Sequence, residues 1–112
     1  MPDILSEIIA NKRIEVELQK QSITIEQLYE GVSDVPPTRS MKQALATSSS
    51  GIIAEFKRRS PSKGWIKETA SPEEIIPDYA AAGASALSIL TDEKFFGGTL
   101  RVSPVRWWIY PF

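Results

Sequence analysis

A short apolar run that leads into a polar loop constrains the fold of this chain more than any other stretch. Residues 52–56 are apolar except for Glu55, and the run from Lys57 to Gly64 is polar and contains a Ser-Pro turn. Side chains alternate along a strand, so Glu55 and Lys57 would share one face with Ile53. The opposite face would be Ile52, Ala54 and Phe56. This pattern predicts a strand with helices on its apolar face and with an acid and a base near its carboxyl end.

A second strand is predicted at residues 86–91, which are nearly all apolar, as in a parallel strand buried on both faces. A helix should separate the two strands. Ser71 is placed to cap it with Glu74 as the partner in a capping box, Pro72 suits the first helical position, and the helix should stop at about residues 82–83. Pro77 predicts a kink or a displaced start. Together these segments predict one βαβ unit.

The first 50 residues predict three helices. Apolar residues recur at helical spacing from Ile4 to about Lys20. Thr24 and Gln27 form a capping-box pattern for a second helix, which Gly31 would close. A third helix is predicted over residues 40–47, and residues 48–51 would be the hinge into the strand.

Composition excludes several kinds of chemistry. The chain of 112 residues has no cysteine and no histidine, which removes disulfides, thiolate and imidazole nucleophiles, and the usual zinc sites. A formal net charge of −1 provides no long-range attraction to nucleic acid or to an acidic membrane. No apolar run approaches a membrane span or a secretory signal, so we expect no membrane partner and a cytoplasmic location.

Basic residues are concentrated after the first predicted strand. Five of the thirteen lie between positions 57 and 67. The cluster is compatible with a solvated face or with binding of a small anion. Nucleic acid is disfavoured as a partner, because only Trp65 is available for stacking on bases.

Three motifs occur in a specific order, namely AEFKRRSPSKG, GASALSILTD and FFGG. From about Ile4 to about Leu100 the chain thereby resembles indole-3-glycerol-phosphate synthase, a family of TIM barrels. The resemblance implies an α/β fold, specifically a partial TIM (β/α)8 barrel. Residues 1–50 would be an amino-terminal helical extension, and residues 51–101 would hold the first two parallel strands and their crossover helix. Residues 102–112 would be an aromatic tail outside the family pattern, which a frameshift or a truncation would explain.

The resemblance also implies a reaction and a set of site residues. The family closes the indole ring of 1-(2-carboxyphenylamino)-1-deoxyribulose 5-phosphate with loss of CO2 and water, in tryptophan biosynthesis, without a metal or an organic cofactor. Glu55 would be the carboxylate that stabilises the cationic intermediate, and Lys57 would hold the anionic substrate. Ser60 and Pro61 would border this phosphorylated small molecule, and Phe96 would pack on its aromatic ring.

The sequence does not contain the family's later strands. The general acid of the family is a lysine on the third strand, and the main phosphate cradle of such barrels follows strands seven and eight. We therefore expect the chain alone to be inactive. Two alternatives are a non-catalytic fragment that forms homo-oligomers or swaps domains through unpaired strand edges, and a module that binds a small anion through the basic loop.

Overall fold

The computed structural model describes residues 3–99, which form five helices and four strands. The helices are α1 (Ile4–Ser22), α2 (Ile25–Val32), α3 (Met41–Thr47), α4 (Pro72–Ala81) and α5 (Glu93–Phe96). The strands are β1 (Ile53–Phe56), β2 (Arg59–Ser60), β3 (Gly64–Trp65) and β4 (Ala86–Ile89). The predicted tail at residues 102–112 lies outside the described residues. By its contacts the chain divides into two compact units, with the boundary between Arg39 and Ser40.

The first unit contains α1 and α2, and its helix starts follow from the sequence. Asp3 accepts a hydrogen bond from the Ser6 N–H at 2.8 Å and so caps α1. Thr24 and Gln27 form the predicted capping box at the start of α2. The expectation that Gly31 ends this helix is wrong, because α2 continues through it to Val32.

The second unit contains the predicted pair of parallel strands. β1 and β4 pair directly in parallel, with Glu55 opposite Ser88 and Phe56 opposite Ile89. The chain between them passes through α4, so the predicted βαβ order is confirmed. A core forms on the predicted apolar face of β1, where Phe56 (6% exposed) clusters with Ala70 and the fully buried Ile76 of α4. The sheet is therefore covered by α4 on one face.

Helix α4 differs from its prediction in its cap. Pro72 does occupy the first turn, but the Ser71 side chain makes no capping hydrogen bond, so the predicted capping box with Glu74 is wrong. Pro77 lies inside the helix, and the helix start is not displaced toward it. The adjacent residue Ile76 is fully buried, and this burial offsets part of the free energy that an internal proline costs.

Two small elements were not predicted from the sequence. β2 and β3 form an antiparallel hairpin in what was expected to be only a polar loop, with Ser60 opposite Gly64. α5 is a single turn of helix capped by Asp92, whose carboxylate accepts from the Phe95 N–H at 2.8 Å. β2 contacts α5, so the hairpin lies against the turn that follows β4.

The predicted hinge at residues 48–51 is held by hydroxyl groups. Ser50 Oγ donates to the Gly83 carbonyl at 2.6 Å and lies 3.0 Å from Ser85 Oγ. Ser48 Oγ is also hydrogen-bonded to Ser85 Oγ, and Ser85 is only 1% exposed. These bonds tie the end of α3 to the start of β4, at the opposite end of the strands from the polar loop.

Candidate active site

The acid of the predicted pair, Glu55, lies on the face of the sheet away from α4. Its carboxylate oxygen Oε2 accepts a hydrogen bond of 3.0 Å from the hydroxyl of Ser88, its neighbour on β4. Glu55 is exposed, whereas the next residue, Phe56, is buried. Strand alternation therefore places a carboxylate and a core side chain on opposite faces at consecutive positions.

The base of the pair, Lys57, follows the last residue of β1 and is exposed. By the same alternation it belongs to the Glu55 side of the strand. Of the predicted basic cluster, Lys57, Lys63 and Lys67 are exposed, while Arg58 and Arg59 are partly buried. The cluster is therefore not a uniform solvated face, because its two arginines face the protein.

Arg58 bonds only to backbone carbonyl groups among its described hydrogen bonds. Its Nε and Nη2 donate to the Gly97 carbonyl oxygen at 2.9 and 2.6 Å, and its Nη1 donates to the Glu68 carbonyl at 3.0 Å. Arg59 Nη1 donates to the carbonyl of Lys94, in α5, at 3.1 Å. Both guanidinium groups also lie over the ring of Trp65, at 5.5 and 5.6 Å from its centroid.

The two predicted loop residues differ in exposure. Ser60 is buried, and its hydroxyl accepts a hydrogen bond of 3.1 Å from the Lys63 N–H, which closes the turn of the hairpin. Pro61 is exposed at the tip of that turn. Pro61 is thus available to a ligand, while Ser60 fixes the shape of the loop.

Phe96 is half-buried and is the last residue of α5. The two glycines after it permit close packing. A Cβ at Gly97 would lie 2.9 Å from the Trp65 ring, and a Cβ at Gly98 would lie 2.1 Å from the Leu90 carbonyl oxygen. Gly97 also has φ of +64°, which favours glycine. Because β2 contacts α5, the structure brings together the elements that carry Ser60 and Phe96.

A cavity of about 190 Å³ lies beside this loop region, on the α4 side of the sheet. Its apolar lining includes Phe56, Ala70 and Ile89, and Arg58 borders it. None of the five predicted site residues lines it. The predicted residues belong instead to the open face and to the loops at its carboxyl end.

Residues 3–99 contain neither a cluster of side chains for a metal ion nor a membrane-spanning helix. This part of the chain holds no group of three or more carboxylate, cysteine or histidine side chains arranged to hold a metal ion. None of its helices has the length and apolar character needed to cross a membrane.

Comparison with known proteins decides the family. The family model described as indole-3-glycerol phosphate synthase matches residues 5–105. The chain belongs to the indole-3-glycerol phosphate synthase family. It is 78% identical over 101 residues to the indole-3-glycerol phosphate synthase of Bacteroides thetaiotaomicron, covering 90% of this chain and 39% of that relative.

In more distant members of the indole-3-glycerol phosphate synthase family, most of this chain again matches a smaller part of the relative. The enzyme of that name from Saccharopolyspora erythraea is 40% identical over 97 residues, covering 87% of this chain and 36% of the relative. The chloroplastic enzyme of Arabidopsis thaliana is 43% identical over 110 residues, covering 93% of this chain and 27% of the relative. The chain thus spans less than two fifths of the length of these relatives.

Proposed function

We propose that this chain is the amino-terminal part of an indole-3-glycerol phosphate synthase, with β1 and β4 as the first two strands of its TIM barrel. The reaction would be closure of the indole ring of 1-(2-carboxyphenylamino)-1-deoxyribulose 5-phosphate with loss of CO2 and water. The observation that carries this proposal is the family match over residues 5–105. That range includes Glu55, Lys57, Ser60, Pro61 and Phe96.

The roles proposed for these residues follow from the chemistry of the reaction. Loss of CO2 passes through an intermediate with positive charge on nitrogen, which the carboxylate of Glu55 would stabilise. Lys57 would attract the anionic groups of the substrate. Ser60 and Pro61 would border it, and the ring of Phe96 would pack on its aryl group.

The position of these residues supports the proposal. Active sites of TIM barrels lie at the carboxyl ends of the strands. Lys57 and the hairpin with Ser60 and Pro61 follow β1, and Phe96 lies in the segment that follows β4. Glu55 is exposed and bonded to Ser88. Its burial would come from the further strands of a complete barrel, which needs about 250 residues.

We propose in addition that the 112-residue chain does not turn over substrate by itself. General acid catalysis contributes about 10²–10⁴-fold and electrostatic stabilisation often more. The third-strand lysine that serves as acid in the family is not supplied by this sequence. The phosphate cradle that follows strands seven and eight is not supplied either. Loss of both substrate binding and proton transfer should reduce the rate below detection.

A fluorescence assay for indole-glycerol phosphate formation tests both statements. The purified chain should give no product, and mixing it with a polypeptide that covers the rest of a family barrel should restore the rate if the two associate. Glu55→Gln should abolish any restored rate, while Arg13→Ala in α1 should leave it unchanged. Ring closure by the chain alone would overturn the proposal of inactivity. A restored rate that survives Glu55→Gln would overturn the role of Glu55.

The exposed open face of β1 favours a second candidate, a homo-oligomer formed through strand edges. The described sheet contains only β1 and β4, so each of these strands has one described strand neighbour. Ile53, on the open face, is 50% exposed, and an apolar residue beside an unpaired edge favours association. Light scattering at several concentrations should show a mass that rises with concentration. A constant monomer mass would contradict this candidate.

A further inference from the structure

We propose that Arg58 is a positioning residue, which sets Phe96 relative to the loop that carries Ser60 and Pro61. This inference rests on the proposed function, because Phe96 is assigned there to pack on the aryl group of the substrate, and Ser60 and Pro61 are assigned to border it. Arg58 itself is not one of the residues proposed to contact the substrate. It acts through the backbone of the turn that follows Phe96.

The hydrogen bonds of Arg58 join three separate segments. Arg58 follows β1, and its side chain reaches the carbonyl of Gly97, 39 residues along the chain, with two N–H groups at 2.9 and 2.6 Å. A third N–H reaches the Glu68 carbonyl, between β3 and α4, at 3.0 Å. One guanidinium group therefore fixes the end of β1, the exit of the hairpin and the turn after α5 at once.

The turn that Arg58 holds is tightly packed, so its position is transmitted to Phe96. Gly97 directly follows Phe96, is buried, and donates its N–H to the Glu93 carbonyl at 3.0 Å. The Trp65 ring of the hairpin lies so close that a Cβ on Gly97 would be 2.9 Å from it. Arg58 lies over the same ring. A shift of the Arg58 guanidinium would therefore move the turn against Trp65 and displace the ring of Phe96.

Lysine cannot replace this arginine. The guanidinium is planar and presents several N–H donors in a fixed fork, whereas an ammonium group is a compact charge on a flexible stem. Only the fork can donate to the carbonyls of Gly97 and Glu68 together while its plane lies over Trp65. Arg58→Lys therefore keeps the charge and loses the positioning.

Amide hydrogen exchange on the 112-residue chain tests the positioning directly. The reporters are the N–H groups of Gly97 and Gly98, which donate to Glu93 and Asp92. Arg58→Ala and Arg58→Lys should both raise their exchange rates about tenfold or more, since hydrogen bonds from a charged donor are lost. Lys63→Ala removes a positive charge from the same loop at an exposed position, without loss of a described side-chain bond to α5 or Gly97, and should change these rates about twofold or less. Unchanged rates in both Arg58 variants would overturn the proposal.

Two ligand probes connect the positioning to the site. Anthranilate reports on the aryl half and inorganic phosphate on the anionic half. Arg58→Lys should weaken anthranilate binding as much as Phe96→Ala does, while phosphate binding stays the same. Equal loss of both probes would indicate general unfolding and overturn the specific role. If the unaltered chain binds neither probe, the result agrees with the missing phosphate cradle of the proposed function, and the exchange result alone decides the role of Arg58.

Discussion

The two faces of the β1–β4 sheet share one backbone but differ in role: one packs against α4 in the core, and the other carries the proposed catalytic carboxylate. On one face Phe56 is 6% exposed and packs with Ile76 of α4. On the other, Glu55 is exposed and bonded to a single hydroxyl, that of Ser88. Consecutive residues of one strand thus serve stability and the proposed chemistry separately. Substitutions on the two faces should therefore have effects that do not overlap.

The largest expected effect comes from the covered face. Ile76→Ala should lower the free energy of unfolding of the second unit by about 2–5 kcal/mol, because a fully buried isoleucine leaves a cavity. Ile53→Ala, at a half-exposed position on the open face, is the matched control and should cost about 0.5 kcal/mol or less. Urea unfolding followed by circular dichroism measures both. Equal losses would contradict the division between the faces.

The next effect comes from the carboxyl end of the sheet. Gly98→Ala should destabilise the second unit by about 1–3 kcal/mol, because its Cβ would lie 2.1 Å from the Leu90 carbonyl oxygen and the backbone would have to shift. Gly31→Ala, inside α2 and with no described atom within 4 Å of its Cβ, should stabilise that helix by about 0.5–1 kcal/mol. Thermal unfolding of both variants should show shifts of opposite sign. A neutral Gly98→Ala would mean that the segment after α5 is loosely held.

A substitution on the open face should leave the free energy of unfolding almost unchanged, in contrast to one on the covered face. Glu55→Gln keeps an acceptor for the Ser88 hydroxyl and changes the free energy of unfolding by about 0.5 kcal/mol or less. The same substitution removes the charge on which the proposed catalysis depends. Phe56→Ala, one residue further, should cost about 3–5 kcal/mol. A large loss of stability in Glu55→Gln would show that the carboxylate is part of the structural framework.

The smallest effect lies in the first unit, in the cap of α1. The backbone N–H of Ser6 lowers the pKa of Asp3 below its ordinary value of 3.8. A lowered pKa in the folded state means that the cap stabilises α1 above about pH 3.8 and is lost as pH falls through the folded value. Asp3→Asn caps without titrating, so only the unaltered chain should lose this part of its helicity in acid. Identical acid profiles by circular dichroism would exclude a contribution from the Asp3 charge.

Local patterns predicted the regular elements. The parallel strands, the capping box of Thr24 and Gln27, and the proline at the start of α4 all follow from residues close together in the chain. The β2–β3 hairpin and α5 were missed because they have only two residues per strand and four in the helix. Elements so short carry no periodicity.

The roles of the two arginines could not be predicted from local sequence patterns either. Arg58 and Arg59 were interpreted as part of a basic cluster facing solvent or an anion. Their hydrogen bonds run to Gly97 and Lys94, 39 and 35 residues away. Only the pairing of β1 with β4 brings those carbonyls near. The glycines of FFGG were a usable signal, because adjacent glycines indicate close approach of the backbone.

The alternation of Glu55 and Phe56 also governs how the chain can change in evolution. Inserting or deleting one residue within β1 would exchange the two faces, turning the carboxylate toward Ile76 and the phenylalanine toward solvent. Substitutions in β1 should lower stability or activity by amounts that depend on the residue. A single-residue change in its length should disrupt both the core and the proposed site at once. The connector between α2 and α3 has no such register, and its residues are exposed. Relatives should therefore vary in length at the connector and hold the length of β1 constant.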